Sequence, residues 1–125
     1  VEDHCDAIME VLLNGDIGET YNIGGSNEIS NINIVRKICE IMNKVIPMSN
    51  NRKYQDLITY VPDRPGHDFR YAIDSNKIKN SVNWLPKENF ETGIYKTINW
   101  YIANSSWWKP ILQNKYQQQR LGVIK

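Results

Sequence analysis

Residues 63–68 read Asp-Arg-Pro-Gly-His-Asp, so two acids, an arginine and a histidine surround a Pro-Gly pair. Proline fixes its own φ and disfavours helical backbone at the residue before it, while Gly66 can adopt a positive φ at little cost. The segment predicts a sharp turn from which Arg64 and His67 point the same way. A guanidinium suits a phosphate bidentately, and an imidazole adds a second donor. On chemistry alone, an anion site and a surface turn with internal Arg–Asp pairs are equally supported.

Apolar segments flank this turn at residues 57–61 and 69–73, and a third occurs at residues 20–23; all three predict short strands. A charged turn between two strand ends is a common position for a binding group. Four other segments carry apolar residues at helical spacing. They predict helices over residues 2–14, from 30 or 31 to about 46, from 74 or 75 to 83, and over about 88–104. We therefore expect an α/β lobe that is mainly helical, with a few short strands.

The bulk properties argue against several classes of partner. The chain has 125 residues, which fits one domain, and a net charge of +1 from 15 basic and 14 acidic residues. This balance gives no reason to expect nucleic acid or a membrane surface as a partner. No apolar run approaches the length of a membrane span, and no signal peptide is visible. Cys5 and Cys39 are expected to be buried reduced thiols, and the cytoplasm is the simplest compartment.

A longer stretch around the turn carries a family resemblance. Residues 63–74, Asp-Arg-Pro-Gly-His-Asp-Phe-Arg-Tyr-Ala-Ile-Asp, resemble the signature of dTDP-glucose 4,6-dehydratases, which are extended short-chain dehydrogenase/reductases acting on nucleotide sugars. Further stretches agree in order, at residues 1–4, 19–25, 84–86, 96–101 and 107–108. The resemblance implies that residues 1–125 form the C-terminal nucleotide-sugar-binding lobe, about a third, of a Rossmann-type enzyme. The N-terminal NAD-binding domain would be absent from this chain.

The resemblance also implies which residues bind the substrate. Arg64 would contact the pyrophosphate with His67 beside it, while Asn31 and the backbone of Asp63, Arg64, Pro65 and Gly66 would shape the nucleotide site. Asn31 has a second interpretation, because asparagine is a preferred helix N-cap residue. Ser26 stands where relatives commonly carry histidine, so this sequence departs from the family there.

No catalytic, cofactor-binding or metal-binding residue is predicted in this chain. The family's Rossmann glycines, Tyr-x-x-x-Lys pair and acid/base carboxylates lie in its N-terminal part, and none of these motifs occurs here; Tyr116 is followed four positions later by Arg120. NAD would therefore be held by the missing domain, and the chain alone is expected to be inactive. The complete protein is expected to be a homodimer.

The expected function is conversion of dTDP-glucose to dTDP-4-keto-6-deoxyglucose, in deoxysugar biosynthesis of the rhamnose type. Two alternatives stay open. The lobe could belong to a related nucleotide-sugar epimerase or decarboxylase, or it could be a non-enzymatic domain that binds a partner. Trp100, Trp107 and Trp108 are expected to anchor the core or a contact with another domain rather than to stack on a sugar, because large aromatic side chains dominate packing energy. The polar tail from Lys115 is expected to dock on the missing domain.

Overall fold

A computed structural model describes residues 1–114 of the chain. They contain five α-helices: α1 (Glu2–Asn14), α2 (Asn31–Val45), α3 (Asn76–Val82), α4 (Phe90–Ala103) and α5 (Ser105–Asn114). A 3₁₀ helix, Tyr54–Leu57, follows α2. The four helices expected from apolar spacing are therefore confirmed as α1 to α4, with ends that agree within two residues. The predictions for the tail from Lys115, including Tyr116 and Arg120, concern residues outside the described range.

The expectation of a few short strands in an α/β lobe is wrong for the part of the chain that the structure describes, because residues 1–114 contain helices and no strand. Leu57 ends the 3₁₀ helix, and residues 20–23, 58–61 and 69–73 have no regular secondary structure. β-propensity reports how well side chains fit a pleated surface. A strand also requires a ladder of main-chain hydrogen bonds to a neighbour, which local sequence cannot supply.

Two of the expected strand segments do approach each other. The Asn22 side-chain amide donates a hydrogen bond to the main-chain carbonyl of Asp74 at 3.2 Å. A Cβ added to Gly24 would lie 3.4 Å from a methyl carbon of Ile73, so the chains pass closely at this point. The two segments are therefore linked by the Asn22 side chain and by close approach at Gly24, and not by a ladder of main-chain hydrogen bonds.

The chain divides into two compact units, one formed by residues 1–29 and 70–93 and the other by residues 30–69 and 94 onward. In the first unit, α1 and α3 pack through Ala7 and Ile78, both fully buried, with Trp84 beside them. Complete burial of an isoleucine side chain stabilises a fold by about 1.5–3 kcal/mol. Val11, Tyr21, Ile23 and Val82 extend this apolar core.

Polar contacts hold the segment after α3 against α1. The Trp84 indole N–H donates to the Asp6 carboxylate at 3.4 Å. The main-chain N–H of Glu88 donates to the Asp3 carboxylate at 2.9 Å, and this bond lowers the pKa of the Asp3 carboxyl below its ordinary value. Helix α1 is thus connected to a segment about eighty residues later by its acidic first turns as well as by its apolar face.

The ends of α3 follow the sequence expectation. Ser75 is the N-cap residue, and the Asp74 carboxylate accepts a hydrogen bond from the Asn76 N–H at 2.9 Å. Asn83 follows the helix with φ 56° and ψ 29°, which is the left-handed conformation expected for an asparagine at a helix end. Local side-chain chemistry alone accounts for both boundaries.

The second unit, described to residue 114, is built around α2 and the 3₁₀ helix. The Asn43 side chain of α2 connects them, since its amide donates to Gln55 Oε1 at 2.7 Å and its oxygen accepts the Tyr54 N–H at 3.0 Å. Cys39 and Ile41 of α2 are buried, as is Ile98 of α4. Cys39 is therefore the buried thiol that was expected, whereas the same expectation is wrong for Cys5 of the first unit, which is exposed.

Helix α5 was not predicted from sequence. It contains Pro110, which lacks a main-chain donor and is ordinarily unfavourable inside a helix. The Trp108 indole N–H donates to the main-chain carbonyl of Tyr101 at 2.8 Å and fixes the turn between α4 and α5. The rings of Trp100 and Trp107 meet edge to face, with centroids 5.4 Å apart. Trp107 keeps 60% of its surface exposed, so it is not a core residue of the described chain, and its expected contact with another domain stays a prediction.

Candidate functional site

The turn expected at residues 63–68 is present in the second unit. Its centre is Pro65-Gly66, and the His67 N–H donates to the Arg64 carbonyl at 3.4 Å. Gly66 has φ 68°, and a Cβ added there would meet nothing within 4 Å. Glycine is therefore required by the backbone conformation rather than by lack of space, as in a β-turn with positive φ at its third residue.

The hydrogen bonds of this turn bear on its two interpretations, an anion site and a surface turn with internal Arg–Asp pairs. One oxygen of Asp63, Oδ1, accepts the Arg64 N–H at 2.8 Å and lies 2.7 Å from His67 Nδ1. The internal pair is thus Asp63–His67 and not an Arg–Asp pair. Within residues 1–114 the exposed guanidinium of Arg64 has no hydrogen-bond or ion-pair partner. A guanidinium without a protein anion beside it can receive a phosphate bidentately.

The structure gives His67 a partner within the turn. Its side chain is 27% exposed, and its Nδ1 is already used by Asp63. When the ring is neutral and Nδ1 carries the proton, Nε2 is an acceptor. Only an imidazolium could then donate to a phosphate oxygen from Nε2.

Asn31 is the first residue of α2, and Ser30 occupies the N-cap position without a side-chain capping bond. The N-cap interpretation of Asn31 is therefore wrong. Its exposed side chain stands at a helix start that has no acidic residue in the first turn. The first main-chain N–H groups of a helix have no intrahelical acceptor, so they favour an anion or another acceptor nearby.

An apolar groove of about 500 Å³ runs beside this helix start. Asn31, Ile32, Val35 and Cys39 of α2 line one side, and the 3₁₀ helix with residues 57–61 lines the other. The groove wall ends at Val61, two residues before Asp63. The structure therefore places Asn31 in the groove wall and the residues Asp63, Arg64, Pro65, Gly66 and His67 outside it, in the same unit.

The first unit has its own cavity, of about 620 Å³, which the sequence did not reveal. Residues 24–28 line it together with residues 71–74 and Asn76. Ser26 adopts a positive φ of 52° here, and its hydroxyl lies 3.3 Å from the Ser75 hydroxyl. Arg70 forms an ion pair with Glu28 near this loop, so that cation is already neutralised. The Gly24-Gly25 pair was the available signal, since such a pair permits close approach of backbone.

The sequence has no dinucleotide-binding fingerprint. No G-x-G-x-x-G sequence occurs in it, and Gly24-Gly25 precedes α2 by several residues instead of opening that helix. Among residues 1–114 no group of three or more His, Cys, Asp or Glu side chains is arranged to hold a metal ion. None of the helices described there is both long and apolar enough to cross a membrane.

Among residues 1–114, the turn at residues 63–68 presents the exposed guanidinium of Arg64 without a hydrogen-bond or ion-pair partner. Residues 1–97 match the sequence profile of the family described as GDP-mannose 4,6 dehydratase. Because the match covers more than half of the chain, the chain belongs to this dehydratase family.

Among individual proteins, the chain is similar to dTDP-glucose 4,6-dehydratases. It is 48% identical to the one from Neisseria meningitidis serogroup B and 50% identical to one from Escherichia coli, in both cases over its whole length. It covers 36% and 35% of those proteins, so it spans about a third of the length of these curated relatives. The resemblance found on residues 63–74 is thereby confirmed.

Two solved structures are similar as well. The crystal structure of dTDP-glucose 4,6-dehydratase from Bacillus anthracis, in complex with NAD, is 44% identical with a TM-score of 0.76. That of DesIV from Streptomyces venezuelae, a dTDP-glucose 4,6-dehydratase with NAD and TYD bound, is 34% identical with a TM-score of 0.70. Both alignments cover 88% of this chain and about a third of the other, 32% and 31%. NAD is thus the cofactor of the structural neighbours.

Proposed function

We propose that residues 1–125 form the nucleotide-sugar-binding lobe of an NAD-dependent dTDP-glucose 4,6-dehydratase. The complete protein would convert dTDP-glucose to dTDP-4-keto-6-deoxyglucose in deoxysugar biosynthesis. The observation that carries this proposal is the Arg64 guanidinium on a Pro-Gly turn, which has no partner among the described residues 1–114. The chain is also about half identical over its length to enzymes of that name.

The role of this chain is to hold and orient the substrate. Arg64 binds two oxygens of the pyrophosphate, because its planar fork matches that geometry. Asn31 contributes a side-chain amide at the start of α2, and the neighbouring main-chain N–H groups favour the same negative charge. Fixing the nucleotide in this way supplies the positioning on which the reaction of the distant sugar depends.

The test is an activity and binding assay of the complete protein that contains this chain, loaded with NAD. We expect it to form a 4-keto sugar from dTDP-glucose, and to do so faster than from UDP-glucose or GDP-mannose at equal concentration. The Arg64→Ala variant should raise KM, because it removes a contact to the nucleotide. Formation of the keto product from GDP-mannose but not from dTDP-glucose would refute the assignment of substrate. The absence of any keto product would refute the enzymatic function.

We further propose that the complete protein is a cytoplasmic homodimer. The proposal is supported by the similarity to bacterial sugar-nucleotide enzymes. Light scattering after size-exclusion chromatography would measure the mass of the particle. A monomer at micromolar concentration would contradict the proposed dimer without affecting the proposed reaction.

A further inference from the structure

We propose that Asp63 is a positioning residue for His67. It holds the imidazole in the tautomer with the proton on Nδ1, so that neutral His67 accepts a hydrogen bond at Nε2 from a hydroxyl of the ligand. The identity of that ligand as a nucleotide sugar rests on the proposed function, whereas the positioning of His67 does not.

The hydrogen bonds of the turn determine the tautomer. Asp63 Oδ1 accepts the Arg64 N–H at 2.8 Å, and the oxygens of an ionised carboxylate can only accept hydrogen bonds. His67 Nδ1 lies 2.7 Å from this same oxygen and must therefore carry the proton of that bond. The carboxylate is itself held by the amide of Arg64, which precedes the φ-restricted Pro65. The turn itself therefore fixes the position of Asp63 Oδ1, the acceptor for His67.

The tautomer decides which ligand group His67 can meet. With the proton on Nδ1, the neutral ring offers a lone pair at Nε2 and requires a donor. Phosphate oxygens of a nucleotide only accept hydrogen bonds, while sugar hydroxyls can donate. Arg64 has donors only. The two side chains therefore contact different groups of the ligand. Arg64 donates to the phosphates, and neutral His67 accepts from a hydroxyl of either the ribose or the hexose.

The positioning is tested by nitrogen-15 NMR of the histidine rings in the complete protein without ligand. Spectra are recorded at about pH 8, where histidine side chains are ordinarily neutral, and the His67 signals are assigned with His67→Gln. We expect the proton on Nδ1 in the unmodified protein and in Asp63→Asn, whose amide oxygen can still accept both bonds. Asp63→Ala should shift the proton to Nε2. The matched control Asp68→Asn removes the same charge from the same turn and should leave the tautomer unchanged.

Two outcomes would overturn the positioning role. One is a proton on Nε2 in the unmodified protein, and the other is an unchanged Nδ1 tautomer in Asp63→Ala. If Asp63→Ala fails to fold, a proton on Nε2 in either the unmodified protein or Asp63→Asn still refutes the positioning role, because both must show the Nδ1 proton. None of these readouts requires binding or turnover of a nucleotide sugar. The proposed function can therefore fail while this inference stands, and the reverse also holds.

The acceptor role is tested by calorimetric titration at the same pH. His67→Asn keeps a donor near Asp63 but lacks the Nε2 acceptor, and should weaken dTDP-glucose binding about three- to tenfold, as expected for one neutral hydrogen bond. His67→Gln places an amide oxygen near the position of Nε2 and should recover most of that affinity.

The same titrations identify the hydroxyl. If the hexose supplies it, His67→Asn binds dTDP as tightly as the unmodified protein does. If the ribose supplies it, the loss persists with dTDP and disappears with 2′,3′-dideoxythymidine diphosphate. A loss that persists with the dideoxy compound, or no loss with dTDP-glucose, would overturn the acceptor role.

Discussion

Replacing Arg64 by lysine separates a bidentate phosphate contact from simple charge attraction. The Arg64 side chain is exposed, and its guanidinium has no partner within residues 1–114, so neither Arg64→Lys nor Arg64→Ala breaks a described contact of the fold. Exposed substitutions of this kind usually change the free energy of unfolding by less than about 0.5 kcal/mol. The proposed loss therefore falls on ligand binding and not on folding.

The magnitude follows from the contact that lysine cannot make. Arg64 precedes a turn fixed by Pro65 and by the positive φ of Gly66. The main-chain position from which its guanidinium extends is therefore defined. Lysine keeps the charge on a flexible stem and loses the two parallel bonds. A hydrogen bond to a charged group contributes about 1.5–3 kcal/mol, which is about tenfold to 150-fold in affinity. We expect Arg64→Lys to weaken nucleotide-sugar binding almost as much as Arg64→Ala does.

The assay is titration of both variants of the complete protein with dTDP-glucose, together with thermal melts that detect any loss of folding. Arg52→Lys and Arg52→Ala are matched controls, because Arg52 is an exposed arginine in another loop of the same unit. They should bind like the unmodified protein. Unchanged affinity in Arg64→Lys would refute the bidentate contact. Unchanged affinity in both Arg64 variants would show that the turn has no binding role.

Three further measurements address other parts of the structure. Asn31→Ala should lower dTDP-glucose affinity by about 0.5–1.5 kcal/mol in the same titration, with an unchanged melting temperature, because its side chain does not cap α2; a lowered melting temperature with full affinity would contradict this. Ile78→Ala should reduce the free energy of unfolding in urea by about 2–5 kcal/mol, since Ile78 is fully buried, and a change under about 1 kcal/mol would show that the α1–α3 core is misassigned. The lowered pKa of Asp3, caused by the Glu88 N–H, contributes stability above the ordinary carboxyl pKa that is lost as pH falls through the lowered one. Asp3→Asn should therefore flatten the acid side of the stability profile, and an identical acid profile would exclude this contribution.

Local sequence determined helices α1 to α4 and the turn at residues 63–68. Apolar residues at helical spacing predict α1 to α4 because the period of a helix is a local property. Pro65 and Gly66 restrict their own backbone, which is why the turn and the positive φ of Gly66 are also predictable. The left-handed Asn83 after α3 belongs to the same class, since a short polar side chain tolerates that conformation wherever it occurs.

Tertiary structure decided the features that depend on contact between distant segments of the chain. The segments at 20–23, 58–61 and 69–73 have strand-like composition, but strand formation requires main-chain hydrogen bonds to another segment, which composition does not supply. Helix α5 forms despite Pro110, against the local preference, and its preceding turn is fixed by a bond from Trp108 to the carbonyl of Tyr101.

In the candidate site, too, some features were readable from the sequence and others required the folded structure. Its residue types were readable from the sequence, including the arginine and histidine around a Pro-Gly pair. The pairing of Asp63 with His67 instead of with Arg64 was not, because either pair satisfies the charges of the segment. Only the folded turn brings one carboxylate oxygen within hydrogen-bond distance of both the Arg64 N–H and His67 Nδ1. In that geometry the guanidinium of Arg64 has no partner among residues 1–114. Residue order alone does not define this result, because hydrogen bonds depend on distances and directions.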